Sequence, residues 1–248
     1  MKQLFINFFD FLQGASYLDK DINIGAIYKI LFIGKAIGLI FLFKVIIGFL
    51  SLLLNKYGLI DPSKGSGDLT SWLSETSNSQ FILEVVILAP FFEEFAFRGI
   101  IQSNRLTLTL AFIVISYLII CILNRANFYS LTARTLPIGI FSILIGFFFH
   151  KYISYYLANL TSNYKINIYI IWLSAFLFSL WHYNNYDFTN ARPQTILLAL
   201  LPHLISGLFF SWTSLMYGLK WSIILHIINN AIPVLIIIFR ASQESKVA

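Results

Sequence analysis

Two adjacent carboxylates and an arginine stand inside an otherwise apolar stretch of the chain. Residues 84–102 read E-V-V-I-L-A-P-F-F-E-E-F-A-F-R-G-I-I-Q, which places Glu93, Glu94 and Arg98 among apolar neighbours. Ionisable groups in such surroundings mark a candidate functional site. On a helix Glu94 and Arg98 share a face, whereas Glu93 is rotated by about 100°. We therefore expect one paired, structural carboxylate and one chemical carboxylate, the alternative being an ion pair that only closes a helix end.

Two further polar pairs lie in apolar segments later in the chain. The segment F-L-F-S-L-W-H-Y contains Phe178-x-x-x-His182, and L-H-I-I-N-N-A contains His226-x-x-x-Asn230. Residues four apart share a helix face. Because polar groups inside a membrane need partners, we expect these segments and the glutamate pair to meet around one polar cavity.

The residue types in this cavity favour hydrolysis. Glu93 beside His182 could take a proton from a water molecule, and His226 and Asn230 are suited to donate hydrogen bonds to an oxyanion. The metal alternative uses Glu93, His182 and His226 as three ligands and leaves a fourth position for water. The sequence has no H-E-x-x-H motif, and asparagine is a poor zinc ligand, so these residues slightly favour a metal-free, glutamate-activated water.

Composition indicates the elements that must hold these residues. The chain has 248 residues, of which 58% are hydrophobic and 11% charged, against about 25% charged in a soluble domain. A bilayer core needs about 20 apolar residues per helical span, and continuous apolar runs exclude the alternation of a barrel strand. We expect an all-α polytopic transmembrane helix bundle with about seven to eight spans.

Seven spans can be assigned by eye, and an eighth could lie in the fourth run or in the first sixty residues. A short interfacial helix is expected at 4–12, and a polar extramembrane loop at 55–80. Pro90 should bend the second span and free a backbone carbonyl near the glutamates. The expected spans are 36–54, 81–101, 106–123, 136–157, 168–183, 196–217 and 221–239.

Other polar residues of the spans receive structural interpretations. We expect Lys44 to be snorkelled or paired, Glu84 to belong to a helix end and His150 to lie at the interface. His203 follows a proline and should pack against the carbonyl that this proline frees, with a role behind the site as the alternative. Asn229 should hold a neighbouring helix. The net charge of +6 is assigned to the membrane surface, and no nucleic acid is expected as a partner.

Taken together, the three stretches resemble the CaaX protease and bacteriocin-processing family, intramembrane proteases similar to the type II CaaX prenyl endopeptidase. The family pattern is E-E-x-x-x-R, then F-x-x-x-H, then H-x-x-x-N, on separate membrane helices. It stands complete here as Glu93-Glu94-x-x-x-Arg98, Phe178-x-x-x-His182 and His226-x-x-x-Asn230. The resemblance starts near residue 81. It implies a catalytic bundle at 81–248, preceded at 1–80 by the interfacial helix, the first span and the polar loop.

The resemblance also implies a role for each motif residue. Glu93 and His182 would activate the water, and His226 and Asn230 would stabilise the oxyanion. Glu94 and Arg98 would support the site as an ion pair, together with Phe178. Some family members are described as metalloproteases, so the cofactor stays open between none and one divalent metal such as zinc, held by Glu93, His182 and His226.

The function that follows is an intramembrane endopeptidase that hydrolyses a peptide bond at or within the bilayer. The alternative is a catalytically silent membrane adaptor or bacteriocin-immunity protein that binds peptides in the same cavity. A transporter would be expected to show inverted repeats with paired broken helices, which the sequence does not display. Expected partners are a peptide or protein substrate at the membrane and the lipid bilayer. The expected location is the plasma membrane of a bacterium, where the protein would be an integral multi-pass protein.

Overall fold

The structure is a computed structural model that describes residues 2–14, 25–61, 76–129, 132–162 and 164–247. Within these residues the regular secondary structure is entirely helical, which confirms the all-α prediction. Most of the predicted polar loop, residues 62–75, lies outside the described residues, as do residues 15–24 of the predicted N-terminal part.

The described part of the chain is a succession of helices. Two 3₁₀ turns, Gly99–Ile101 and His182–Asn185, and one π-helical segment, Leu83–Leu88, interrupt the α-helices. The α-helices are α1 (Lys2–Leu12), α2 (Ala26–Lys56), α3 (Asn78–Ile82), α4 (Ala89–Arg98), α5 (Arg105–Leu123), α6 (Thr135–Tyr152), α7 (Ser154–Ser162), α8 (Tyr164–Trp181), α9 (Pro193–Tyr217) and α10 (Leu219–Val247).

Five of the described helices are long and apolar enough to cross a bilayer. They are α2, α5, α6, α9 and the first 23 residues of α10. The two other predicted spans are helical as well, because 78–101 is a run of joined helical pieces and α8 covers 18 residues. The predicted membrane bundle is confirmed, and the protein is an integral multi-pass membrane protein.

Several predicted span boundaries are wrong. Helix α2 begins at Ala26, well before the predicted start of the first span at residue 36. The fourth run does not continue to residue 157, because the chain breaks at Ile153 between α6 and α7. There Arg105 donates to the carbonyl of His150 at 3.1 Å and to the hydroxyl of Ser154 at 3.1 Å, which stabilises the break. The fifth run ends at Trp181, so His182 begins a 3₁₀ turn at the end of α8.

The run 78–101 changes its winding just before Pro90 and the glutamate pair. Over Leu83–Leu88 the helix widens into π geometry, and the N–H of Ala89 bonds to the carbonyl of Glu84, five residues back. The next bond of this kind would join residue 90 to Val85, but proline has no N–H. The carbonyl of Val85 is therefore available to another partner.

Helix α9 forms the centre of the bundle. Its residues 206–215 are all buried, and the small ones among them allow neighbouring helices to approach closely. A Cβ atom at Gly207 would lie 3.1 Å from both Arg98 Nη2 and the ring of Phe178. Glycine at this position is therefore what lets α4 and α8 meet α9.

The first helix packs onto this centre. Phe8 and Phe11 of α1 are buried, and the ring of Phe8 stacks on Phe209 of α9 with centroids 4.0 Å apart. Phe32 of α2 contacts Trp212 of the same helix at 5.0 Å. The N-terminal helices therefore share the hydrophobic core of the site-bearing helices.

Candidate active site

The predicted ion pair is present and fully buried. Arg98 Nη1 lies 3.3 Å from Glu94 Oε1, and neither side chain is exposed to solvent. Glu94 also accepts a short hydrogen bond from the hydroxyl of Ser222, and Arg98 Nη2 donates to the carbonyl of Gly207 at 3.0 Å. The guanidinium lies 4.1 Å from the ring centroid of Phe178. The pair thus joins α4 to α8, α9 and α10.

Glu93 points away from this pair and toward two histidines. Its Oε2 atom lies 3.7 Å from His226 Nε2 and 4.0 Å from His182 Nε2. Both separations exceed a hydrogen bond, and this buried oxygen has no hydrogen-bond partner among the described residues. The division into one paired and one unpaired carboxylate agrees with the sequence prediction.

The other nitrogen of each histidine identifies the atom that faces Glu93. His182 Nδ1 lies 2.8 Å from the carbonyl of Phe178, which can only accept, so Nδ1 carries a proton. His226 Nδ1 lies 3.0 Å from Glu94 Oε1 and donates to that carboxylate. A neutral imidazole with a proton on Nδ1 presents a lone pair at Nε2. Two lone pairs and a carboxylate oxygen therefore face one another across a small gap.

His203 has different contacts from those predicted from its neighbouring proline. Its ring stacks on His182 with centroids 3.9 Å apart, and its Nε2 lies 2.7 Å from the hydroxyl of Tyr186. The expectation that it packs against a freed carbonyl is wrong, because a phenol is within reach and satisfies the ring nitrogen. Its contact with His182 agrees with the alternative, a position directly behind the site.

A chain of side-chain hydrogen bonds fixes the amide of Asn230. Lys44 Nζ donates to Asn229 Oδ1 at 2.8 Å, and Asn229 Nδ2 donates to Asn230 Oδ1 at 3.1 Å. Asn230 Nδ2 in turn donates to the carbonyl of Val85 at 3.2 Å, the carbonyl that Pro90 leaves available. Lys44 is thus held by a neutral amide, and the prediction that Asn229 holds a neighbouring helix is confirmed.

These groups surround one cavity of about 480 Å³. Its polar wall carries the four residues predicted to be catalytic, and Lys44, His203 and Asn229 lie beside them. Apolar side chains complete the lining, among them Ile122, Phe128 and Trp181. The cavity can therefore hold a peptide segment with apolar side chains next to the Oε2 atom of Glu93, which has no hydrogen-bond partner among the described residues.

Two polar residues interpreted as structural lie apart from this cavity. His150 Nδ1 contacts the hydroxyl of Thr109 at 2.8 Å. Glu84 is buried in the π-helical segment, where its Oε1 accepts from Gln80 at 2.9 Å. Neither side chain lines the cavity, as the sequence predicted.

Sequence reasoning missed several side chains that shape the cavity. Tyr186 and Ser222 belong to no motif, so nothing in the sequence indicated them. Lys44 was indicated by being a lysine inside an apolar span. Tyr129 comes from the connection between α5 and α6 and lines the cavity beside Glu93. Burial, together with the nearby carboxylates Glu93 and Glu84, raises the pKa of Tyr129. It therefore presents a neutral phenol to the cavity.

The metal alternative can be tested on the same three donors. Ligands about 2.05 Å from a tetrahedral zinc ion lie about 3.4 Å from one another. Both nitrogens here are farther than this from Glu93 Oε2, at 3.7 and 4.0 Å. In the part of the chain that the structure describes, no group of three His, Cys, Asp or Glu residues is arranged to hold a metal ion. The donor types suit zinc, but their spacing does not fit it.

Comparison with known proteins agrees with the motifs. The family model described as type II CAAX prenyl endopeptidase Rce1-like matches residues 146–232. The match includes the second and third motifs and leaves Glu93, Glu94 and Arg98 outside it. Neither the curated proteins nor the solved structures contain a match to the chain. The predicted family resemblance is confirmed, and it indicates an intramembrane endopeptidase of the CAAX type with a peptide substrate at the membrane.

Proposed function

We propose that this chain, whose residues 146–232 match the Rce1-like endopeptidases, hydrolyses a peptide bond at or within the bilayer through a water molecule that Glu93 activates. The observation that carries the proposal is the unpaired Oε2 atom of Glu93, which faces two imidazole nitrogens in the cavity. Three acceptors in this arrangement repel one another unless a donor lies between them. A water molecule has two O–H groups and would relieve that repulsion.

The first step is the attack of this water on the substrate carbonyl. Glu93 takes one proton of the water while His182 accepts a hydrogen bond from the other and fixes its orientation. The water oxygen bonds to the carbonyl carbon, and the π electrons of the carbonyl move to its oxygen. Ring stacking with His203 and the hydrogen bond to Phe178 hold His182 in the required orientation.

The second step collapses the tetrahedral intermediate. Asn230 uses one N–H on Val85, so its other N–H is available to the oxyanion. In the neutral form described above, His226 has a lone pair at Nε2, so it helps to hold the water, and a role at the oxyanion would need a second proton on its ring. Protonated Glu93 returns its proton to the amide nitrogen as the carbon–nitrogen bond breaks, which regenerates the carboxylate.

The test is cleavage of a quenched fluorescent peptide library by the purified protein in detergent. Glu93→Gln should lower the rate by about 10²- to 10⁴-fold, because it removes the general base. The matched control is Glu84→Gln, which neutralises a buried carboxylate of the same helical run outside the cavity and should cleave as the native protein does. His226→Ala should also lose activity.

A chelator decides the role of metal. Cleavage that survives chelation and depends on Glu93 supports the metal-free proposal, whereas loss on chelation and rescue by zinc would make the protein a metalloprotease. A Glu93→Gln protein with full biological activity would favour the adaptor or immunity function. We propose the plasma membrane of a bacterium as the location, on the basis of the abundance of Ile, Asn, Phe and Tyr.

A further inference from the structure

A lysine in the middle of a membrane helix lines the cavity. Lys44 lies within α2, far N-terminal to the matched residues 146–232. Its side chain lines the same cavity as Glu93. Its Nζ atom is held by Asn229 Oδ1 at 2.8 Å and lies 5.2 Å from the ring centroid of Phe41. An ionisable residue inside a membrane bundle is expected to serve a pathway or a ligand.

This ammonium group has no carboxylate partner among the residues that the structure describes. Glu93, which lines the cavity, faces two histidines, and the neighbouring Glu94 pairs with Arg98. An ammonium carries three N–H donors, and the hydrogen bond to Asn229 uses one. Lys44 is half-buried, and a cation that is partly withdrawn from water without a counter-ion is costly, so the α2 side of the cavity is suited to receive an anion.

We propose that Lys44 binds a carboxylate of the peptide in the cavity. This inference rests on the proposed function, because it takes the occupant to be a peptide. A peptide can offer such a group at its C-terminus or on an Asp or Glu side chain. Since Lys44 and Glu93 line the same cavity, the bond that is cleaved lies within a few residues of that carboxylate.

The competing explanation is that Lys44 only positions the site. Its hydrogen bond to Asn229 fixes that amide, and through it the amide of Asn230. A positioning role would lower cleavage of every peptide alike and would not depend on whether a carboxylate is present. A binding role distinguishes a carboxylate from the corresponding amide.

The experiment measures binding on full-length Glu93→Ala protein in detergent, so that no probe is cleaved. N-dansyl tetraleucine and its C-terminal carboxamide are titrated by fluorescence anisotropy. A second pair, dansyl-Leu-Glu-Leu-Leu-carboxamide and its Gln counterpart, tests a side-chain carboxylate. In one of the two pairs the carboxylate should bind about tenfold or more tightly, because a charged hydrogen bond is lost in the amide.

Two lysine variants test whether Lys44 causes the preference for the carboxylate probe over its amide. Lys44→Met should abolish it, whereas Lys35→Met removes the same charge from an exposed position of the same helix and should preserve it. If Lys44→Met is not monodisperse, Lys44→Gln and Lys44→Arg replace it, and only the Arg variant should retain the preference.

Three results would overturn the proposal: equal binding within both probe pairs, no measurable binding of either carboxylate probe, or a preference that persists in Lys44→Met. These results are separate from the cleavage test. A carboxylate preference without cleavage would refute the endopeptidase alone, and Glu93-dependent cleavage without a preference would refute the role of Lys44 alone.

Discussion

The two adjacent glutamates differ in what each contacts, so the same substitution should affect them differently. Glu94 is fully buried against Arg98, His226 and Ser222. Glu94→Gln would leave a buried guanidinium without its counter-ion, which costs about 3–5 kcal/mol for a buried pair. Glu93→Gln removes no hydrogen bond made by its Oε2 atom among the described residues. We expect Glu94→Gln to lose both stability and activity, and Glu93→Gln to lose activity with its stability kept.

Thermal unfolding in detergent, followed by size-exclusion chromatography, measures this difference. Each isosteric variant is the control for the other, because both remove one negative charge from neighbouring positions. Equal losses of thermal stability in the two variants would contradict the division into a structural and a chemical carboxylate.

At this scale the sequence predicted the motif residues better than their neighbours. The spacing of Glu94 and Arg98 alone was enough to predict their ion pair, because four residues make one helical turn. His203 could not be interpreted in the same way, since its partner Tyr186 comes from a connection between helices. Contacts between distant segments depend on how the helices pack, which the local spacing of residues does not specify.

At the scale of the element, the π-helical turn before Pro90 links the backbone to the chemistry. The missing N–H of the proline leaves the carbonyl of Val85 to the amide of Asn230. Pro90→Ala restores an N–H that can compete for this carbonyl. We expect a several-fold fall in the cleavage rate, because a net hydrogen bond of about 1 kcal/mol no longer fixes Asn230. Stability should be kept or raised, since alanine favours helix.

Pro137→Ala is the matched control for this change. Pro137 lies in the first turn of α6, where a backbone N–H has no partner within the helix. Cleavage rate and unfolding temperature of the two variants are measured side by side. If Pro90→Ala cleaved as fast as Pro137→Ala, the freed carbonyl would have no part in positioning Asn230.

The sequence predicted this element only in part. Proline indicated a free carbonyl near the glutamates, and the carbonyl of Val85 is that group. It did not indicate the π winding, or that the amide bonded to this carbonyl would come from a helix 145 residues later. The break between α6 and α7 was missed for a similar reason, because Arg105 of a different helix stabilises it.

Among the described residues, the charged groups of the site are buried while many large apolar side chains face outward, as expected for a membrane protein. Glu94 and Arg98 are inaccessible, whereas the outer face of α6 exposes a row of large apolar side chains, including Leu136, Ile140 and Phe147. Composition predicted a membrane bundle, in which outward apolar faces meet lipid. It could not predict which face of each helix would look outward, because the apolar helices have no polar stripe to indicate it.

If the outer face of α6 meets lipid, the free-energy cost of a charged side chain on it should depend on how deep that side chain lies in the membrane. Ile143 in the middle of α6 and Tyr152 at its end are about equally exposed, at 58% and 56%. An aspartate costs about 2.5–3.5 kcal/mol at the centre of a membrane helix and far less near its end. Ile143→Asp should therefore sharply lower the yield of monodisperse protein extracted from membranes, whereas Tyr152→Asp should not. Equal yields would mean that this face of α6 meets water, because exposure of the two sites is matched and only their depth differs.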